Sequence, residues 1–186
     1  VGLRSAGLLA AFALAALALG ALGPRPAAAA SAEEINREAD AALAKLYAGN
    51  QAASLLRDHA VAVLVFPHVY KAGFLFGGQL GEGVLRRGGK AAGYYNSVAA
   101  SYGLQAGAQR FGYALFFMSE KALAYLDKSE GFEIGVGPSI VVVDAGLARA
   151  LTSTTLRSDV YAFVFDQQGL MAGLGIQGSK ITKVRK

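Results

Sequence analysis

Cysteine and tryptophan are absent from the 186-residue sequence, and histidine occurs only at positions 59 and 68. Without cysteine there is no disulfide framework, no thiolate-held metal and no lipid-modified cysteine at a processing site. His59 and His68 are separated by a strand-like run and Pro67, which matches no zinc-ligand spacing, so neither a metal nor a cofactor is expected. No serine stands in a G-x-S-x-G elbow. The 13 carboxylates are scattered through helices and turns, with no acid–base pair among them. Gly173 to Gly178 spell G-x-G-x-x-G, but only Ser179 to Lys186 follow, so the helix and acidic residue of a dinucleotide site are missing. The phosphate-loop pattern fails near Gly83, which comes one residue too early before Gly89-Lys90, with Ala91 where a hydroxyl is needed. A Ser-His-Asp triad is defined by geometry and not by order, so counting leaves it open. The expectation is a protein that is not an enzyme.

What the sequence does have is apolar residues (54%), 24 glycines and a formal charge of +5. Ala6 to Gly23 carry no charge, Arg4 precedes them, and Ala28-Ala29-Ala30 supply an A-x-A site before Ser31. This layout predicts a secretory signal peptide over residues 1–30. The rival is an uncleaved membrane anchor, since 18 uncharged residues lie at the lower edge of a bilayer span. Residues 31–186 then form one domain with 16 basic and 13 acidic side chains, placed in the periplasm or outside the cell. A chain of that length buries enough surface to need no crosslinks.

Ser31 is a helix N-cap candidate, with Glu33 and Glu34 in the first turn. Ile35, Ala39, Ala42, Leu43 and Leu46 then recur at helical spacing down to Tyr47, until Gly49-Asn50 stop the run. A shorter helix is predicted over Gln51 to His59. Strand-like segments follow: Ala60 to Phe66, closed by Pro67, then Ala72 to Leu80, Gly83 to Arg87, Gly93 to Tyr102, Leu104 to Arg110, Tyr113 to Met118, Glu133 to Ile134, Ser139 to Val143, Val160 to Phe165 and Leu170 to Gly178. Only Glu120 to Ser129 interrupt them with helical spacing. The fold class is therefore α+β: N-terminal helices on a curved, largely antiparallel, glycine-rich β-sheet or barrel, with one inserted helix. Glycines inside strands mark bulges and tight bends, and Gly88-Gly89 read as a two-residue hairpin turn.

Two basic clusters stand out: Arg86, Arg87 and Lys90 around that turn, and Lys180, Lys183, Arg185 and Lys186 at the end of the sequence. Near an anionic bilayer each cation contributes about 1 kcal/mol, so the clusters are candidate phospholipid contacts. A solubilising rim and a frayed tail are the alternative. Nucleic acid is not expected, because +3 is weak for tracking phosphates.

Three segments carry a family resemblance. Val69 to Gly78, with Gly81 and Gly83, contain K-A-G-F followed by G-x-G; Ser101 to Gln109 are a glycine- and glutamine-bearing strand; Gly169 to Gly173 and Gly178 to Ile181 read G-L-x-A-G and G-S. In that order they resemble the SYLF domain, a lipid-binding family with an exported bacterial branch, from about Ala32 to Ile181. The resemblance implies membrane-lipid binding and, by its motif, a role for Lys71 and the Ile35–Tyr47 helix. That helix bears Glu33, Glu34, Glu38 and Asp40 against Arg37 and Lys45, so core packing is the better reading of its apolar side. Gln177 stands where many eukaryotic members carry an acid, and the fungal actin-binding extension has no counterpart, so actin is not expected as a partner. The lipid-contact residues are therefore expected to be Lys71, Arg86, Arg87, Lys90, Lys180, Lys183, Arg185 and Lys186. The expected function is non-enzymatic binding of an anionic phospholipid surface outside the cytoplasm. A cell-envelope structural or protein-interaction module is the alternative, and an acyl chain held inside a closed sheet is a variant of the first.

Overall fold

The computed structural model describes residues 30–127, 132–133, 138–170 and 179–186, with the side chains of 74–75, 101–106, 132–133 and 170 left aside. Residues 1–29 of the expected signal peptide (1–30) and the G-x-G-x-x-G string at 173–178 lie outside the described residues. Helix α1 (Ala32–Gly49) starts where the sequence says it should: the Ser31 hydroxyl oxygen accepts the Glu34 N–H at 3.1 Å. Asn50 both ends α1 and caps α2 (Gln51–His59), its side-chain oxygen accepting the Ala53 N–H at 3.1 Å.

The predicted short strands between Ala62 and Phe117 are joined into two very long ones. Strand β1 (Ala62–Arg87) and β2 (Lys90–Phe117) form one antiparallel hairpin, in register from Arg87 opposite Lys90 to Ala62 opposite Phe117. Its turn is Gly88-Gly89, both with positive φ (56° and 79°), as the sequence predicts. Pro67 does not close a strand. It sits at a register shift between Phe66 and Val69, where a missing N–H breaks no ladder bond. The outer edge of β2 is shared. Its second half pairs with β5 (Val160–Leu170), which pairs in parallel with β4 (Ile140–Val142); its first half pairs with β6 (Lys180–Val184), which pairs with β3 (Phe132–Glu133). The basic C-terminal segment is thus a strand and not a tail. Helix α3 (Glu120–Leu126) is the expected insertion; α4 (Ala145–Ala150), a short helix capped by Asp144, is a second that the sequence reading did not anticipate.

The hairpin folds over on itself. Val65 and Gly83 are 18 residues apart in one strand, about 60 Å if straight, yet a Cβ on Gly83 would lie 2.5 Å from the Val65 carbonyl oxygen. The bend is at 73–77, where a Cβ on Gly73 would meet the Gly77 Cα at 2.5 Å. A register shift between Phe74 and Phe76 marks the same place. Only glycine permits such backbone contact. Inside the fold, Leu64, Phe66, Tyr95, Phe111, Tyr113, Leu115 and Phe117 fill the space with rings and branched chains. Outside it, Ile35, Ala39, Leu43 and Leu46 of α1 and Leu56 of α2 pack on Val63, Val65, Val84, Phe116 and Phe163. The expected α+β architecture is observed, and the apolar side of α1 is spent on core packing.

Candidate functional site

Most of the charge of the two basic clusters is already paired within the fold. Arg86, with its side chain only 12% exposed, donates to an Asp40 carboxylate oxygen and, at 3.1 Å, to the Asn36 carbonyl. Arg87 pairs with Glu120. Lys183 reaches Asp127 at 3.1 Å, and the Tyr95 hydroxyl donates to the same carboxylate oxygen at 3.1 Å. Burial, with Asp127 beside it, pushes the Tyr95 hydroxyl pKa well above its ordinary value. Lys186 lies 2.6 Å from Glu82, its side chain 11% exposed. Lys90, Lys180 and Arg185 are exposed, and Lys71 is half-buried. The two clusters thus serve mainly to tie the hairpin to α1, α3 and the turn after α3.

A different surface emerges at the bend. Residues 76, 78, 80, 82 and 84 of β1 share the face that looks toward α1. Val84 lies beneath the helix and is fully buried; Glu82 accepts the Ala30 N–H at 2.9 Å, just before the helix begins. Beyond that point the helix gives no cover, and Leu80 is 63% and Phe76 71% exposed. Among the described residues five large apolar side chains are exposed, and four of them, Tyr70, Phe76, Leu80 and Val98, gather here. Exposed Ala72 stands opposite Ala108, and exposed Gly78 opposite Ala100, on the same two strands.

Cations edge this surface in register. Tyr70 stands opposite Arg110 across β1 and β2, and Val98 stands opposite Lys180 across β2 and β6. Lys71 follows Tyr70. Arg110 donates to the neutral Gln168 side chain at 3.3 Å, and on its far side Lys180 is in register with Glu133 of β3. A cleft of about 470 Å³ runs from Tyr70, Leu80 and Val98 back under the first turns of α1, past Glu34, Glu38 and His68. The His68 Nε2 lies 3.7 Å from Glu38.

Of the eight residues expected from sequence, Lys180 lies at this surface; Lys71 is next to Tyr70 in the chain but on the alternate face of β1, opposite Gln109. Tyr70, Phe76, Leu80, Val98 and Arg110 were not anticipated. The signal that could have found them is the aromatic run beside K-A-G-F, taken together with the point where α1 must start. Among the described residues no three His, Asp or Glu side chains are placed to hold a metal ion. Nor is any described helix long and apolar enough to cross a membrane.

Residues 98–186 match the family described as Ysc84, Las17-binding protein actin regulator, which is the SYLF-domain family. No curated protein matches the chain. The match takes in the second and third resemblance segments and leaves out the first, at 69–83. Its boundary falls inside β2, whose residues on either side of Val98 pair with the same strand β1, so the folded unit begins earlier than the match.

Proposed function

We propose that this chain, a SYLF-domain protein over residues 98–186, binds the surface of a lipid membrane by its bent hairpin, outside the cytoplasm and without catalysis. The observation that carries the reading is the apolar surface of Tyr70, Phe76, Leu80 and Val98 with Arg110 and Lys180 at its edges. The family's association with lipid binding supports it. Fully burying such side chains gives roughly 1.5–3 kcal/mol each; with about half to two-thirds of each exposed, on the order of 4–7 kcal/mol remains to be gained. Each cation near an anionic surface adds about 1 kcal/mol. The apolar contribution therefore leads, and charge selects anionic lipid.

The test is flotation of residues 30–186 with vesicles of phosphatidylcholine alone and with added phosphatidylglycerol or cardiolipin, at low and high salt. The expected result is tighter binding to anionic vesicles, weakened but not abolished by 1 M salt, where screening acts within about 3 Å. Absence of binding to any vesicle would sink the lipid reading. It would favour the second reading, a protein-interaction module, which has its support in the Las17-binding description of the family.

A further inference from the structure

The sequence offers three registers for signal-peptide removal with alanine at both A-x-A positions, for cuts after Ala29, Ala30 and Ala32. The three leave different chemistry at the start of α1. The Ala30 N–H donates to Glu82 at 2.9 Å, and Lys186 bridges the other Glu82 oxygen, at 2.6 Å, to the Ala30 carbonyl, at 2.8 Å. These three groups close a ring around one residue, and Ala30 packs on the outer core below it.

We infer that the bond cut is Ala29–Ala30, and that the Glu82 carboxylate is the seat for the new α-ammonium group, while Lys186 holds the Ala30 carbonyl. The inference rests on the export reading. In the cut, water adds across the peptide bond: its oxygen goes to the Ala29 carbonyl carbon, leaving a carboxylate, and Ala30 leaves as an amine that protonates. The donor that faces Glu82 as a neutral N–H in the uncut chain then carries a full positive charge on the same carboxylate, with no movement required. Cutting one residue later removes both Ala30 contacts. It also places the ammonium on Ser31, the N-cap, against the positive end of the helix dipole. Cutting after Ala32 strips away the N-cap itself and the Glu34 N–H bond it makes. Glu82 lies in the same row as Leu80 and Val84, so the anchored terminus marks where helix cover of that face ends.

The experiment is to secrete the full 186-residue chain from a bacterial host and measure the intact mass and N-terminal sequence of the product. A chain starting at Ala30 is expected. A start at Ser31 or Glu33 overturns the inference while leaving export intact, and an uncut chain overturns both. A second measurement addresses Glu82 directly by comparing thermal unfolding of residues 30–186 and 31–186, each with and without Glu82→Gln. The chain starting at Ala30 should melt about 2–4 °C higher, with the gap closing in the Glu82→Gln pair. Equal melting of 30–186 and 31–186, or a gap that survives Glu82→Gln, overturns the role of Glu82.

Discussion

Val84 and Leu80 stand four residues apart on one face of β1, yet the first is fully buried and the second is 63% exposed. The alternation of the strand is the same at both positions; what differs is whether α1 lies above. Val84 meets the apolar side of that helix, while Leu80 has passed its first turn. Exposure here is decided by where a neighbouring element starts, and Ser31 fixes that point as the N-cap. One strand therefore supplies a core at one end and an open apolar surface at the other.

The largest effect is expected from a charge placed under the helix. Val84→Asp buries an unpaired carboxylate and should cost about 4 kcal/mol or more, seen as loss of the cooperative thermal transition. Leu80→Asp should leave that transition in place; if it unfolds the protein too, the two positions do not differ as described. Gly83→Ala attacks the fold-back that brings both regions onto one molecule. Its methyl group would press on the Val65 carbonyl oxygen and the Phe66 ring, an overpacking cost of about 1–3 kcal/mol measurable by denaturant titration.

The open region is sharpened by Phe76→Asp together with Leu80→Asp. Vesicle affinity should fall at least about tenfold, equivalent to 1.4 kcal/mol, with unfolding unchanged. Smaller effects separate the cations. Arg110→Glu should lower affinity for anionic vesicles several-fold and steepen no other property, whereas Arg87→Glu, whose partner is the exposed Glu120, should leave binding alone and change stability by at most about 1 kcal/mol. Equal effects of the two on vesicle binding would move the contact back toward the hairpin turn.

The smallest prediction concerns the closed interior. Burial pushes the Tyr113 hydroxyl pKa well above its ordinary value, despite a 2.6 Å hydrogen bond to Ser97, and Tyr95 is shifted the same way. Both are easier to ionise in the unfolded chain, so the stability they contribute is intact below a pH of about 10 and is lost as pH rises above it. In a spectrophotometric titration, Tyr95 and Tyr113 should ionise only as the fold opens.

Much of this fold can be read locally. Ser31, Asn50 and Gly88-Gly89 act on their own neighbours, so caps and turn follow from a few residues at a time. The joining of short strands into β1 and β2 does not, because glycine and Pro67 punctuate a sequence alike whether a strand ends or merely bends. The candidate surface was harder still. Lys180 is visible as a cation, but the ion pairs that occupy Arg86, Arg87, Lys183 and Lys186 join residues 33 to 104 positions apart. Charge seen in sequence is gross charge; what a partner meets is the remainder after the fold has paired it.

The two-residue turn at Gly88-Gly89 also governs the order of assembly. Pairs next to it close a loop of a few residues, whereas Ala62 and Phe117 are 55 positions apart. Loop-closure entropy favours zipping outward from the turn. Until β2 is complete, β1 is a 26-residue apolar strand with both edges unsatisfied. A polypeptide emerging N-terminus first presents that strand before its partner exists; pairing then advances from the turn as β2 emerges and is complete only once Phe117 is available.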